Sequence, residues 1–172
     1  MKDLNYEDSA AFELFLEQSM VGTKITLSPQ EPEAERILDR IELFTQVYLS
    51  LSEKPSGSAL IYRLPKSSSG DWGTSYCLIG DELVVGRKPD PTRNANLLAM
   101  PRSDAMSANH FRVVKTGDDY VLCDDLPSGD GKGFGSTNGT LVNTDTSRKS
   151  YHVLTQGDII EAGKMVFYFV RG

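Results

Sequence analysis

The chain has 172 residues, 39% of them hydrophobic and 24% charged, a composition typical of a globular protein with a core of its own. A membrane-spanning helix requires about 18 consecutive apolar residues, and no apolar run in the chain is that long. The N-terminus also lacks the apolar segment of a signal peptide. The net charge of −6 leaves too little positive charge for a nucleic-acid-binding surface. We therefore predict a cytoplasmic protein that binds neither membranes nor nucleic acids.

The net negative charge of the chain comes entirely from its N-terminal third. Residues 1–55 hold 5 Lys/Arg and 11 Asp/Glu, whereas residues 56–172 hold 13 of each kind. Residues 53–58, EKPSGS, have the Pro, Gly and Ser content of a linker between two regions. We predict an acidic α-helical extension at residues 1–54 and a second domain at residues 55–172.

Two amphipathic helical patterns fill the acidic extension. The first, within residues 6–20, repeats apolar residues at helical spacing and has acidic residues on the other face. The second, within residues 28–53, begins with a capping box of Ser28 and Glu31 around Pro29, which suits the first turn of a helix. The two apolar stripes are Phe12, Phe15, Leu16 and Met20, and then Ile37, Leu38, Ile41, Phe44, Tyr48 and Leu51. We expect the helices to pack on each other and on the second domain; a partner-binding role is the alternative.

The second domain has the pattern of a β-sheet protein. Nine short apolar runs are separated by turns, with no helical pattern between them: ALIYRLP, SYCLIG, ELVVGR, HFRVVKT, YVLCDD, TLVN, HVLT, DIIEAG and MVFYFV. Many short strands with close turns predict an antiparallel β-sandwich. Cys77 and Cys123 lie in two of these runs without metal-binding spacing, so we predict free thiols and neither a disulfide nor a metal site.

Polar motifs follow several of the predicted strands in a fixed order. They are GR at residues 86–87, SANH at 107–110, GSTNGT at 135–140, and a later LTQGDII segment. A rigid sandwich presents such loop residues for binding. Together they offer a guanidinium, hydroxyls and turn amides, which suit a phosphoryl group of about −1.5 to −2 charges near pH 7.

The ordered set of motifs resembles the forkhead-associated (FHA) domain, a phosphothreonine-binding β-sandwich, over about residues 58–172. The resemblance implies that Arg87 contacts the phosphate, that Ser107 donates its hydroxyl to it, and that Thr137 adds a hydroxyl or amide contact. Asn138 would bond the main chain of the ligand. Supporting positions implied by the resemblance are Gly86, His110 and Gly139.

Two departures from the family pattern border the predicted site. Ala108 stands where the family often has a basic residue after the serine, and the loops before Ser107 and before Ser136 are long. The long loops either add contacts or cover the site. Accessory contacts predicted from these loops are Lys88, Arg93, Arg102, Ser136 and Lys132.

The sequence favours a binding module over an enzyme. It shows no nucleophile–base pair and no acid pair with a cofactor loop, so we predict no catalysis and no cofactor. A nucleotide loop is rejected because Lys132 is followed by Gly133, where the Walker motif needs Ser or Thr. We predict a non-catalytic module that docks onto a protein phosphorylated by a Ser/Thr kinase. The alternative is an FHA-like scaffold that binds partners without phosphate through its helices and sandwich faces.

Overall fold

The computed structural model describes residues 32–65, 72–92, 94–100, 103–124, 136–143 and 147–172. These residues form one helix, α1 (Pro32–Leu49), and ten strands. The strands are β1 (Ala59–Pro65), β2 (Trp72–Leu78), β3 (Glu82–Gly86), β4 (Asn96–Ala99), β5 (Phe111–Thr116), β6 (Asp119–Cys123), β7 (Thr140–Val142), β8 (Tyr151–Leu154), β9 (Ile159–Ala162) and β10 (Met165–Val170). The helical pattern predicted within residues 6–20 and the capping box at Ser28 lie outside the described residues.

The strands form two five-stranded sheets that pack face to face. Sheet A has the order β2-β1-β10-β9-β7, and sheet B has the order β4-β3-β5-β6-β8. All neighbouring strands pair antiparallel except β3 and β4, which run parallel. The predicted β-sandwich is therefore confirmed, with one parallel pair that makes sheet B mixed.

Strand β4 is a correction to the sequence analysis, which assigned the whole segment between Arg87 and Ser107 to a loop. Leu97 and Leu98 pair with the middle of β3, and Leu98 is buried in the core. The strand has only four residues, and it pairs with β3 in the parallel direction. The local sequence does not reveal such a pairing, because the hydrogen bonds that stabilise β4 come from the neighbouring strand β3.

The core between the sheets consists of alternate, inward-facing residues from both layers, as period-two patterns predict. Phe111 of sheet B meets Phe167 of sheet A edge to face, with ring centroids 5.5 Å apart. Further buried members are Leu60, Ile79, Leu83, Val85, Met100, Met106, Val113, Leu122, Val142, Leu154, Ile160 and Phe169. Cys123 is buried and Cys77 half-buried, and both are free thiols.

Helix α1 packs on the outer face of sheet A. Phe44, Val47 and Leu51 are buried there against β1, β9 and β10. Burying each such side chain contributes about 1.5–3 kcal/mol, so this contact is a substantial part of the fold. The predicted stripe is right for Phe44 but wrong for Leu38, which is 54% exposed. Within the described residues no helix is both long and apolar enough to cross a membrane.

Candidate functional site

The predicted site residues that the structure describes lie in the loops at one end of the sandwich. Arg87 directly follows β3, and its backbone N–H donates to the Ser107 carbonyl at 2.9 Å. The Lys88 N–H donates to the Ala108 carbonyl at 3.2 Å. These two bonds hold the loop after β3 beside the loop before β5, and the side chains of Arg87 and Lys88 are exposed.

Gly86 is required by the close approach of these two loops. A Cβ atom at Gly86 would lie 2.0 Å from the carbonyl oxygen of Ala108. Any side chain there would push the loop that contains Ser107 away from Arg87. The reason for glycine is therefore contact with backbone, because Gly86 is not among the positive-φ residues.

Ser107 and Thr137 are joined across the two loops that contain them. The Thr137 N–H donates to the Ser107 Oγ at 3.1 Å. The hydroxyl of Ser107 accepts this bond and so keeps its own proton for donation to another group. Thr137 is exposed and Ser107 half-buried, so both face the open end of the sandwich.

His110 is fully buried beneath this pair and bridges the same two loops. Its Nδ1 accepts the Ser107 N–H at 3.0 Å, so the proton of the neutral ring is on Nε2, 3.3 Å from the Gly139 carbonyl. Burial lowers the pKa of His110, while the Gly139 carbonyl and the Asp124 carboxylate act in the opposite direction. A neutral histidine therefore links the backbone beside Ser107 to the backbone beside Asn138.

Asn138 and Gly139 form the tip of the loop before β7. The exposed Asn138 amide donates from Nδ2 to the Ala105 carbonyl at 2.7 Å. Gly139 has a φ of 82°, in the left-handed region that glycine tolerates best. A Cβ atom at Gly139 would also lie 2.4 Å from the Cδ of Arg148.

Arg148 is a site residue that the sequence analysis missed. Its side chain lies over Gly139, and its Nη1 donates to the Thr137 carbonyl at 3.2 Å. The only sequence signal is the basic pair Arg148-Lys149 ahead of β8. Nothing in the sequence indicates that this segment folds back onto the NG turn.

Ser136 differs from its predicted role as an accessory ligand contact. It is buried, and its N–H and hydroxyl donate to the Asp124 carboxylate at 2.7 and 2.6 Å. Its hydroxyl is already used inside the protein, so we reassign it to the support of the loop. Of the other accessory candidates, Lys88 is exposed beside Arg87, and Arg93, Arg102 and Lys132 lie outside the described residues.

Comparison with a family model identifies one domain within the chain. The FHA domain model matches residues 83–163, which span all the motifs described above. An FHA domain from Arabidopsis thaliana is 24% identical over 70% of this chain and 94% of that chain, with a TM-score of 0.45. One from Chlamydia trachomatis is 16% identical over 67% of this chain and 98% of that chain, with a TM-score of 0.45.

Mycobacterium tuberculosis EmbR, solved with a low-affinity phosphopeptide, is 21% identical over 96% of this chain and 42% of that chain, with a TM-score of 0.42. No curated protein matches the chain. The match begins within β3 and ends after β9, so it includes the strands of sheet B, β7, β9 and the loops of the site, but not β1, β2 or β10. The chain therefore carries an FHA domain, a type of phosphothreonine-peptide-binding module, which the family model places at residues 83–163.

Proposed function

We propose that this FHA domain binds a phosphothreonine-containing segment of a protein phosphorylated by a Ser/Thr kinase, as a non-catalytic adaptor. The observation that carries the proposal is the linked set of Ser107, His110 and Thr137. One buried histidine and one hydroxyl–amide bond hold two loops together beneath an open end. Such preorganisation lowers the entropic cost of binding, because the two loops are already held in place before the ligand binds.

The phosphate contacts in this proposal come from Arg87, Ser107 and Thr137. The guanidinium of Arg87 is exposed and provides a planar fork of donors, which matches phosphate oxygens and makes charge-assisted bonds. Ser107 adds its hydroxyl proton, and Thr137 adds its hydroxyl, because its amide N–H already donates to Ser107. Lys88 follows Arg87 on the same loop and adds positive charge beside the phosphate.

Asn138 fixes the main chain of the ligand. Its amide nitrogen donates to the Ala105 carbonyl, so its oxygen stays available to accept an N–H from the peptide. The residue is exposed at the tip of the loop. A register fixed in this way lets neighbouring side chains of the ligand contact defined surfaces of the domain.

Titration calorimetry with a phosphothreonine peptide and its unmodified control tests the proposal directly. Peptides from an oriented phosphothreonine library supply the starting sequence. Binding is expected only for the modified peptide and weakens as the pH falls from 7.5 to 5.5, because the phosphoryl group takes up a proton near its second pKa of about 6. Equal affinity for the two peptides contradicts the proposal and favours the phosphate-independent scaffold. The cytoplasmic location stays a prediction.

A further inference from the structure

The outer face of sheet B carries an apolar patch. Val114, Val121 and Val153 are register partners on β5, β6 and β8, so they lie side by side across three strands. A core residue lies next to each of them along its strand, so the alternation of side chains directs the three valines outward. Val153 is 53% exposed, and Val114 and Val121 are half-buried. Val84 and Leu97, paired on β3 and β4, extend the same face, and we call these five residues the sheet B patch.

An apolar outer face of this kind is unusual for a sheet that faces water. Antiparallel sheets with one solvated face have polar residues on that face. The polar residues beside the patch are Arg112 and Glu82, which form an ion pair with each other at 3.4 Å. Sheet A has an apolar outer face as well, and α1 covers it with Phe44, Val47 and Leu51. The described residues contain no second helix that covers sheet B in the same way.

The size of the sheet B patch indicates what kind of element fits it. Five strands about 4.8 Å apart and two outward positions on a strand give a surface of about 20 Å by about 10 Å. A stable interface between two copies of a protein buries about 800 Å² on each copy, several times this area. One face of a helix of about 15 residues is about 22 Å long and about 10 Å wide. The patch therefore fits a single amphipathic helix.

The sequence contains such a helical pattern in residues 6–20, which lie outside the described residues. Phe12, Phe15, Leu16 and Met20 form its apolar stripe. Four large apolar side chains are costly to leave in water, so a segment with this stripe requires an apolar surface as its partner. The stripe and the sheet B patch are similar in area.

The connection from this segment to α1 is long enough to reach sheet B. Arg40 of α1 lies 3.7 Å from Asp158, and Asp158 bonds at 3.1 Å to His152 on β8, the edge strand of sheet B. Helix α1 begins at Pro32, about 12 Å before Arg40. Residues 21–31 span up to about 36 Å when extended, whereas two packed sheets are about 10 Å apart. The segment can therefore pass around the β8 edge to the patch.

The exposed side of α1 offers this segment a poorer surface. Leu38, Leu43 and Leu49 are exposed there, but Leu43 points about 140° away from Leu38 around the helix. Glu42 and Gln46, which bond to each other at 3.2 Å, lie between Leu38 and Leu49. Single exposed leucines separated by polar residues need no cover.

We propose that residues 6–20 dock on the sheet B patch as a second helix, so that the sandwich has one helix on each outer face. In the expectation drawn from the sequence the two helices pack on each other; in this arrangement they lie on opposite sheets. The inference is independent of the proposed function, because the patch lies on the face of sheet B and the phosphate contacts lie in loops at its end.

The test is hydrogen exchange, followed by mass spectrometry, on the full chain and on its Phe12→Asp, Leu16→Asp double variant. Amides of β6 and β8 are expected to exchange about tenfold faster in the variant, because strands that lose their cover open locally more often. Amides of α1 should be unchanged. Faster exchange in α1 without a change in β6 and β8 would place the segment on α1 and overturn the inference, as would no change in any of them.

The reciprocal variant is Val153→Asp, with Val166→Asp as its matched control. Both valines are exposed, at 53% and 38%, but Val166 lies on β10 of sheet A. Val153→Asp is expected to speed exchange in residues 6–20 about tenfold, and Val166→Asp should not. Equal exchange of residues 6–20 in the two variants contradicts the docking. The double variant changes residues outside the sandwich, so the inference stays testable if Val153→Asp fails to fold.

Sedimentation velocity of the full chain distinguishes the segment from a second copy. We expect a monomer, because the segment of the same chain occupies the patch. A dimer that dissociates on Val153→Asp would assign the patch to another copy and overturn the inference.

Discussion

The two ends of the sandwich each contain a fully buried ionisable side chain, His110 at one end and Asp158 at the other, and they use it differently. At the site end, His110 bridges two loops and leaves Arg87 and Asn138 exposed. At the opposite end, Asp158 precedes β9 and accepts hydrogen bonds from Asn143 at 2.7 Å, from Thr155 at 2.8 and 2.9 Å, and from His152 at 3.1 Å. The polar groups around Asp158 are therefore satisfied within the protein.

The electrostatics of the two buried groups follow from this difference. Burial by itself raises the pKa of Asp158, but hydrogen bonds from His152, Thr155 and Asn143 outweigh it and lower the pKa below its ordinary value. His110 lacks comparable compensation, so burial keeps it neutral. Arg40 of α1 also approaches Asp158, at 3.7 Å, which ties the helix to that end. The polar groups at the Asp158 end are therefore paired within the protein, whereas the other end leaves Arg87 and Asn138 exposed, as the proposed ligand site requires.

Asp158→Ala is expected to have the largest effect. The substitution leaves several donors that converge on the buried carboxylate without an acceptor, so the free energy of unfolding should fall by about 3–5 kcal/mol. Urea unfolding measures this loss, with Asp119→Ala, at an exposed carboxylate, as the control. The folded fraction should keep its affinity for a phosphothreonine peptide. A loss of affinity in the folded protein would show that this end also contributes to the ligand site.

Arg87→Ala should have the reverse effect of Asp158→Ala: peptide affinity falls while the stability of the fold stays nearly unchanged. Removing one partner of a charge-assisted contact is expected to cost about 2–5 kcal/mol of binding free energy. Because the side chain is exposed, the free energy of unfolding should change by less than about 0.5 kcal/mol. Arg171→Ala, at an exposed arginine paired with Asp119, is the matched control and should bind normally. Unfolding of the Arg87 variant would make its role structural.

His110→Ala should affect both properties, since the ring supports the loops without reaching the surface. Loss of its two hydrogen bonds leaves the Ser107 N–H and the Gly139 carbonyl unpaired, at an expected cost of about 1–3 kcal/mol in unfolding free energy. Peptide affinity should also fall, because the two loops are no longer held together. Calorimetry measures the affinity and urea unfolding measures the stability, both on one preparation. An unchanged affinity would show that His110 does not support the ligand site.

The two buried groups should respond to acid in different pH ranges. Folding lowers the pKa of His110 below 6.5, so the unfolded chain binds this proton first and the stabilising contribution declines as the pH falls below 6.5. Folding lowers the pKa of Asp158 below 3.8, so its contribution is complete above 3.8 and declines only below it. Urea unfolding at pH 7.5 and 5.5 should show the first decline, and His110→Asn should reduce it. A decline of the same size in that variant would assign it elsewhere.

Deletion of residues 1–54 should have the smallest effect on ligand binding. The deletion exposes Ile61 and Tyr168 on sheet A, so we expect lower solubility. Peptide affinity should change by less than about threefold, roughly 0.7 kcal/mol, because the described part of the extension packs away from the site loops. A tenfold gain in affinity would instead identify the acidic extension as an inhibitor of the site.

Much of the fold was predictable because its signals are local. Alternating apolar residues identified nine of the ten strands, and the NG turn marked the left-handed Gly139. Strand β4 was missed because its stability comes from parallel pairing with β3 and from burial of Leu98. Only Leu98 of β4 is buried, so the strand has no alternating pattern of buried residues.

The candidate site was predictable only as a list of residues, and tertiary structure decided which of them face outward. Ser136 and Thr137 are adjacent hydroxyls in the sequence, yet Ser136 is buried against Asp124 and Thr137 is exposed beside Ser107. Arg148 could not be predicted from the sequence, because its contact with Gly139 depends on how the segment before β8 packs against the NG turn. The sequence by itself determined nine of the ten described strands, the turn and the order of the motifs, because these follow from neighbouring residues. The tertiary structure decided which polar groups remain available to a ligand, because that depends on which other groups folding brings within hydrogen-bond distance.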